Sequence, residues 1–182
     1  MHTDKSQTAL SGIRLGISAC LLGHEVRFDG GHKRDHFLTD ELGKHVAWVP
    51  VCPEVEVGMG TPREPLQLVR VGETTRMITT NTGIDHTDRM NAWARTRVEL
   101  LVREDLDGYV LKSKSPSCGV WNVEVARTDG PSALDGRGLF ASALLERFPL
   151  LPVEDERRLA DPAVRENFIE RVLAYRRLKE HG

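Results

Sequence analysis

The chain has 182 residues, of which 40% are hydrophobic and 29% charged, and its formal net charge at pH 7 is −2. This composition is typical of one soluble globular domain, and the small negative charge argues against duplex nucleic acid as a partner. No signal-peptide core or membrane-length apolar run occurs in the sequence, so we expect a cytoplasmic protein without membrane contact. We expect residues 1–11 to be a flexible segment and residues 12–182 to form a single domain.

The first third of the chain contains two apolar runs separated by turn-forming residues. Residues 13–19 and 46–51 are predicted to be buried strands. Between them, residues 23–31 are rich in turn formers and residues 35–43 predict a short helix. Glycine and proline in residues 54–68 indicate a loop.

Strands and helices alternate in the remainder of the chain. The predicted elements are strands at 76–80, 109–112, 121–126 and 150–153, helices at 85–105 and 139–148, and a last helix that begins at Asp161. Asp161 followed by proline is a typical helix start, because the carboxylate caps the first turn. This alternation predicts an α/β fold, a single-domain Rossmann-like sandwich with a mostly parallel sheet flanked by helices.

Three cysteines each follow a predicted strand. Cys20 ends the first apolar run, Cys52 ends the second, and Cys118 lies in the turn after residues 109–112. Because sites in such sheets lie beyond the carboxyl ends of the strands, the three thiols can converge. A cytoplasmic setting favours a metal or iron–sulfur site over a disulfide. A [4Fe–4S] cluster with one open iron, a Cys₃ zinc site, a catalytic thiol and plain buried cysteines all remain open.

Four blocks carry a resemblance to a known family. They are residues 17–30 (ISACLLGHEVRFDG), 50–65 (PVCPEVEVGMGTPREP), 112–119 (KSKSPSCG) and 138–159 (GLFASALLERFPLLPVEDERRL). Together they resemble the thiouracil desulfurase (desulfidase) family, also called DUF523. The family often shows a Gly-Gly pair where this chain has VGMG at residues 57–60.

The resemblance implies an oxygen-sensitive [4Fe–4S] cluster held by Cys20, Cys52 and Cys118, with one iron open to substrate. That iron would bind the sulfur of a thiolated pyrimidine and polarise its carbon–sulfur bond. Glu54 would activate the attacking water, and Ser115 matches the family's functional serine. The implied reaction converts 2-thiouracil to uracil and sulfide by hydrolysis, without net redox change. The implied partner is a small thiolated nucleobase.

The chemistry of the site candidates supports these roles and also allows simpler ones. Glu54 is a carboxylate suited to general base catalysis, while Glu56 is more typical of a solvated neighbour. Ser115 can bind substrate or relay a proton, but serine also caps turns routinely. Arg27 and Asp29 offer complementary groups for the amide edge of a base, or they form a surface ion pair.

Four further polar residues near the cysteines are left outside the catalytic set: Lys112, Lys114, Arg63 and Ser117. The three cations can offset the charge of thiolates, but as single charges they are expected to be solvated, and Ser117 is expected to be structural. Rival functions are a desulfurase for 4-thiouracil or a thionucleoside, a cluster protein that only senses oxygen or iron, and a zinc-binding protein. The sequence indicates no particular oligomeric state.

Overall fold

A computed structural model of the protein describes residues 10–182, and two four-stranded sheets form its framework. The strands are β1 (Arg14–Ser18), β2 (Ala47–Val51), β3 (Leu66–Val71), β4 (Thr74–Thr79), β5 (Gly108–Leu111), β6 (Val123–Arg127), β7 (Ala133–Gly136) and β8 (Val153–Asp155). The helices are α1 (Pro53–Glu56), α2 (Thr87–Leu101), α3 (Leu139–Arg147) and α4 (Pro162–His181). Single 3₁₀ or π-helical turns occur at Ala19–Leu22, Phe37–Glu41, Leu42–Lys44, Val102–Glu104 and Arg158–Ala160.

The first sheet is parallel throughout and has the strand order β2-β1-β5-β8. Its β1 and β5 strands are almost fully buried, because helices cover both faces. Helices α2 and α3 pack on one face around Phe140 and Leu144, and α4 packs on the other through Phe168 and Val172. The predicted α/β fold with a parallel sheet flanked by helices is therefore confirmed.

The second sheet has the order β4-β3-β6-β7 and mixes antiparallel and parallel pairing. The loop predicted for residues 54–68 is wrong at both ends, since α1 occupies Pro53–Glu56 and β3 begins at Leu66. Strand β3 buries chiefly one side chain, Leu68, against Met77 and Val125. The prolines before it favoured a loop, and its two polar residues, Gln67 and Arg70, do not alternate with the apolar ones, so no strand pattern was visible.

The short helix predicted at 35–43 is present in a different form. A π-helical turn, Phe37–Glu41, is followed by a 3₁₀ turn, Leu42–Lys44, so Gly43 lies within a helical turn instead of ending one. A Cβ at Gly43 would lie 2.8 Å from the Leu38 carbonyl oxygen, which explains the glycine. At the last helix the prediction is confirmed, because the Asp161 carboxylate accepts a hydrogen bond from the backbone of Ala163 at 2.9 Å.

The flexible segment predicted for residues 1–11 lies outside the described residues except for its last two positions. Of these, Leu10 is buried and packs into the core cluster that contains Leu15 and Phe168. Within residues 10–182, no helix is both long enough and apolar enough to cross a bilayer.

Candidate metal centre and active site

The three cysteines line one cavity of about 400 Å³ at the carboxyl ends of the parallel strands. Cys20 lies in the turn after β1, and Cys52 lies directly between β2 and α1. Cys118 reaches the same cavity through the turn that follows β5. Since β2, β1 and β5 are neighbours in the sheet, the fold brings together three thiols that are far apart in sequence.

Burial keeps the first two thiols protonated in the metal-free protein. It raises the pKa of Cys20 to about 11, against the positive charge of Lys112. It also raises the pKa of Cys52, against a hydrogen bond from the backbone N–H of Val55 in α1. Each thiol thus has a nearby group that stabilises its thiolate once a metal displaces the proton.

Cys118 follows the same pattern in a deeper position. Burial raises the pKa of its thiol well above the ordinary range, and a hydrogen bond with the Ser18 side chain acts in the opposite direction. Within residues 10–182, no three His, Cys, Asp or Glu side chains converge closely enough to hold a single metal ion. An iron–sulfur cluster does not need such convergence, because each thiolate binds a different iron. The soft, all-sulfur donor set fits such a cluster.

Glu54 lies in the wall of the same cavity, held between an arginine and a serine. Arg63 donates to the Glu54 Oε2 atom from Nε at 2.8 Å and from Nη2 at 2.7 Å. Ser117 donates from its hydroxyl to Oε1 at 2.6 Å. Both partners of the ion pair are nearly buried: the Glu54 side chain is 13% exposed and the Arg63 side chain is 8% exposed. These contacts fix the carboxylate in one orientation.

Arg63 and Ser117 both contact the carboxylate of Glu54, whereas the sequence predicted a solvated Arg63 and a structural Ser117. Arg63 lies in the loop before β3 and also donates to the carbonyl oxygens of Gly60, in the same loop, and of Val26, in the loop after Cys20. It therefore ties these two loops together. The contact of Ser117 with Glu54 joins positions 63 residues apart in sequence. The sequence signal available for Arg63 was its place in the family-like block 50–65.

Ser115 lines the cavity and also shapes the turn that carries Cys118. Its Oγ atom accepts hydrogen bonds from the backbone N–H groups of Ser117, at 3.2 Å, and Cys118, at 3.0 Å. The turn-capping role is therefore present. A serine hydroxyl that accepts two bonds can still donate its own proton.

Arg27 and Asp29 have different positions relative to the cavity. Arg27 is among its lining residues, and its guanidinium lies 5.2 Å from the centre of the Phe28 ring. Asp29 is half exposed and lies outside the lining; it accepts a hydrogen bond from the backbone of Gly31 and pairs with Arg27 at 3.6 Å. The hydrogen bond from Gly31 lowers the pKa of Asp29.

The cavity carries an excess of positive side chains. Its charged lining residues are Glu54 and the cations Arg27, Lys33, Arg63, Lys112 and Lys114. Lys112 forms an ion pair with Glu156 at 2.5 Å, and Ser113 donates from its backbone and hydroxyl to the same carboxylate. Burial opposes ionisation of Glu156, but the bonds from Lys112 and Ser113 lower its pKa overall. These positive side chains suit a cavity whose lining includes three cysteines that become thiolates when they bind metal.

The sequence and the fold of this chain were compared with those of known proteins. The family model described as 2-thiouracil desulfurase matches residues 15–156. The uncharacterized protein YbbK of Bacillus subtilis (strain 168) is 32% identical over 133 residues, which cover 70% of this chain and 87% of that protein. The solved structure of the [4Fe-4S]-dependent thiouracil desulfidase TudS (DUF523Vcz) has a TM-score of 0.63 and 31% identity, over 85% of this chain and 98% of that one. The chain therefore belongs to the 2-thiouracil desulfurase family.

Proposed function

We propose that this protein is a [4Fe–4S]-dependent desulfurase that converts 2-thiouracil and water to uracil and hydrogen sulfide. The observation that carries the proposal is the meeting of Cys20, Cys52, Cys118 and Glu54 in one cavity. The likeness to a solved thiouracil desulfidase, which is itself [4Fe-4S]-dependent, supports the cofactor and the substrate class. The cavity volume of about 400 Å³ lies within the usual range for small-molecule sites.

Three of the four irons would be held by this chain's own side chains. Cys20, Cys52 and Cys118 would provide the thiolates, with Val55, Ser18 and the cationic lining stabilising their negative charge. When bound, the cluster supplies an iron without a cysteine ligand, a Lewis acid that polarises the carbon–sulfur bond of the thiolated base. The substrate's sulfur is a soft donor and suits that iron.

Glu54 would act as the general base. Arg63 occupies Oε2 and Ser117 occupies one side of Oε1, so a remaining lone pair of Oε1 is the place to accept a proton from water. The oxygen of that water forms the new bond to the ring carbon as the carbon–sulfur bond breaks. Two protons leave with the sulfur as hydrogen sulfide, and the reaction has no net oxidation or reduction. General base catalysis of this kind typically contributes a factor of about 10² to 10⁴ in rate.

Ser115 and Arg27 would orient the base. The Ser115 hydroxyl keeps its proton available for donation while its oxygen caps the turn, so it can bond to a carbonyl oxygen of the substrate. Arg27, in the cavity wall, can donate to the amide edge of the ring. Asp29 would act on the substrate through its pairing with Arg27.

The proposal is tested by loading the protein with iron and sulfide without oxygen and adding 2-thiouracil. We expect the visible absorbance of a [4Fe–4S] cluster, with formation of uracil and an equal amount of sulfide. If the cluster forms but 2-thiouracil gives no uracil, while 4-thiouracil or a thionucleoside releases sulfide, the substrate would be reassigned. Cluster absorbance with no product from any of these compounds would contradict the enzyme assignment and favour a sensor. A protein that binds zinc and forms no cluster would contradict the cofactor.

A further inference from the structure

Phe28 presents an aromatic ring to the cavity that contains the three cysteines. Among the described residues that line this cavity, it is the one aromatic side chain. Phe28 is 38% exposed, whereas the chain's other four phenylalanines are buried or half-buried. An apolar ring that faces water in a cavity gains free energy when a ligand covers it, and ligand sites are commonly lined by such rings.

The backbone around Phe28 is fixed, so the ring has a defined place. The N–H of Gly30 donates to the carbonyl oxygen of Arg27 at 3.0 Å, and the N–H of Arg27 donates to that of Gly31 at 3.1 Å. Gly30 completes this turn with a φ of 77°, in the left-handed region that favours glycine. Arg63 attaches the turn to the loop before β3, because its backbone N–H donates to the Phe28 carbonyl oxygen at 2.9 Å.

The same arginine connects the turn of Phe28 to the proposed base. Its guanidinium donates to the carbonyl oxygen of Val26 at 2.9 Å and to the carboxylate of Glu54 at 2.8 Å. The aromatic ring and the carboxylate therefore share one support in the cavity wall. This arrangement suits two groups that act on one substrate, because it fixes the position of one relative to the other.

The position of Arg27 indicates what the ring of Phe28 would contact. The Arg27 guanidinium lies over the Phe28 ring, 5.2 Å from its centre, and both side chains line the cavity. Arg27 is the proposed donor to the amide edge of the substrate. A pyrimidine bonded to this guanidinium therefore comes close to the Phe28 ring. The flat face of a nucleobase packs favourably on an aromatic side chain.

We propose that Phe28 binds the substrate by stacking on the face of its pyrimidine ring. The inference deepens the proposed function and rests on it. Because stacking needs a flat, conjugated ring, Phe28 would select thiolated heterocycles of that kind over puckered thioamides that carry the same carbon–sulfur bond. Phe28 is then the residue that determines the ring specificity of the site.

The test compares the wild type with Phe28→Leu and Phe28→Tyr, each loaded with the cluster. Leucine is apolar but has no aromatic face, whereas tyrosine keeps the ring. Loss of base stacking weakens binding by about 5- to 100-fold. We expect the KM for 2-thiouracil to rise by about that factor in Phe28→Leu, with little change in kcat, and to stay near the wild-type value in Phe28→Tyr. The dissociation constant of uracil, which has the ring but no sulfur for the iron, should rise in parallel.

A second substrate separates stacking from the chemical step. Dihydro-2-thiouracil has the same thioamide group, but its ring is puckered because the carbon–carbon double bond is reduced. The wild type should favour 2-thiouracil in kcat/KM, and Phe28→Leu should lose most of the part of this preference that stacking supplies. The intrinsic reactivities of the two compounds cancel when their kcat/KM ratios are compared between proteins.

Phe37→Leu is the matched control. Phe37 is partly buried and has the Arg165 guanidinium 3.9 Å from its ring centre, but it does not line the cavity. This variant should keep the wild-type KM and preference. If the wild type converts 2-thiouracil, then unchanged binding and preference in Phe28→Leu, or an equal loss in Phe28→Tyr, would overturn the inference. A loaded wild type that converts no thiolated compound would instead overturn the proposed function, so the two failures are distinguishable.

Discussion

Replacement of Glu54 by Gln separates the proposed base from the metal site. Glutamine has nearly the same size and keeps an oxygen for the Ser117 hydroxyl, but it cannot accept a proton from water. Because general base catalysis is worth about 10² to 10⁴ in rate, we expect turnover of 2-thiouracil to fall by roughly that factor. The cluster absorbance should be unchanged, since Glu54 is not a proposed ligand.

The stability of this variant follows from the contacts of the carboxylate. Arg63 donates to Glu54 twice, and both side chains are nearly buried, so the arginine loses an anionic partner. Hydrogen bonds to charged groups contribute about 1.5–3 kcal/mol, and the amide oxygen retains part of that. We expect the free energy of unfolding to fall by about 1–3 kcal/mol, measured by urea denaturation of the metal-free protein.

Glu56→Gln is the matched control for this experiment. Glu56 lies on the same short helix and pairs with Arg97 at 2.8 Å, but it does not line the cavity and is 32% exposed. A partly exposed pair contributes about 1 kcal/mol or less, so turnover and cluster should both be retained with a small loss of stability. Full turnover by Glu54→Gln, or a loss of turnover in Glu56→Gln as large as in Glu54→Gln, would refute the assignment of the base.

Three further predictions concern the cysteines and the sheet beneath them. Changing Cys20, Cys52 or Cys118 singly to Ala should abolish bound iron and uracil formation together; a variant that keeps both would contradict three-cysteine ligation. Because burial raises the pKa of Cys20 to about 11, its alkylation by iodoacetamide in the metal-free protein should accelerate about tenfold per pH unit from pH 8 to 10, as followed by peptide mapping; a plateau near pH 9 would contradict this. Gly16→Ala would place a Cβ 2.2 Å from the Tyr109 ring, so it should lower the free energy of unfolding in urea by about 1–3 kcal/mol or more. An unchanged unfolding midpoint would show that the ring can move.

The parallel sheet and the edge that carries the site could be predicted from the sequence. Strands β1 and β5 are buried on both faces, so their residues read as continuous apolar runs. Cys20 directly follows the β1 run, and Cys52 directly follows β2, which is apolar but, as the edge strand, buries only Val51 and not the whole predicted run 46–51. These positions placed both cysteines at the carboxyl ends of strands. Those positions made a shared site the natural expectation, and both thiols line the cavity.

In the second sheet, β4 and β6 correspond to the strands predicted at 76–80 and 121–126, but β3 and β7 could not be predicted in the same way. Strand β3 has one polar residue on each side, Gln67 and Arg70, and β7 buries none of its four residues fully. Such strands are stabilised by pairing with neighbours in space, and a local hydrophobic pattern does not report that pairing. The short α1 helix was missed because a four-residue helix shows too little periodicity to recognise.

The partners of Glu54 were also beyond the reach of the sequence. Ser117 is 63 residues away from it along the chain, and Arg63 lies across a loop. Only the fold brings these side chains together, so local patterns gave Arg63 a solvated position and Ser117 a structural one. Asp29 illustrates the reverse case: a residue within a family-like block that lies outside the cavity lining.

The central claim is that sulfur is removed at a cluster held by this cavity, and the most direct test relates turnover to iron content. Samples of the wild type are loaded without oxygen to different iron and sulfide contents, and uracil formation from 2-thiouracil is measured on each. We predict a rate that rises in proportion to the [4Fe–4S] cluster and saturates at about four irons per chain. Uracil formation by the iron-free protein, or saturation at one metal ion per chain, would contradict the claim.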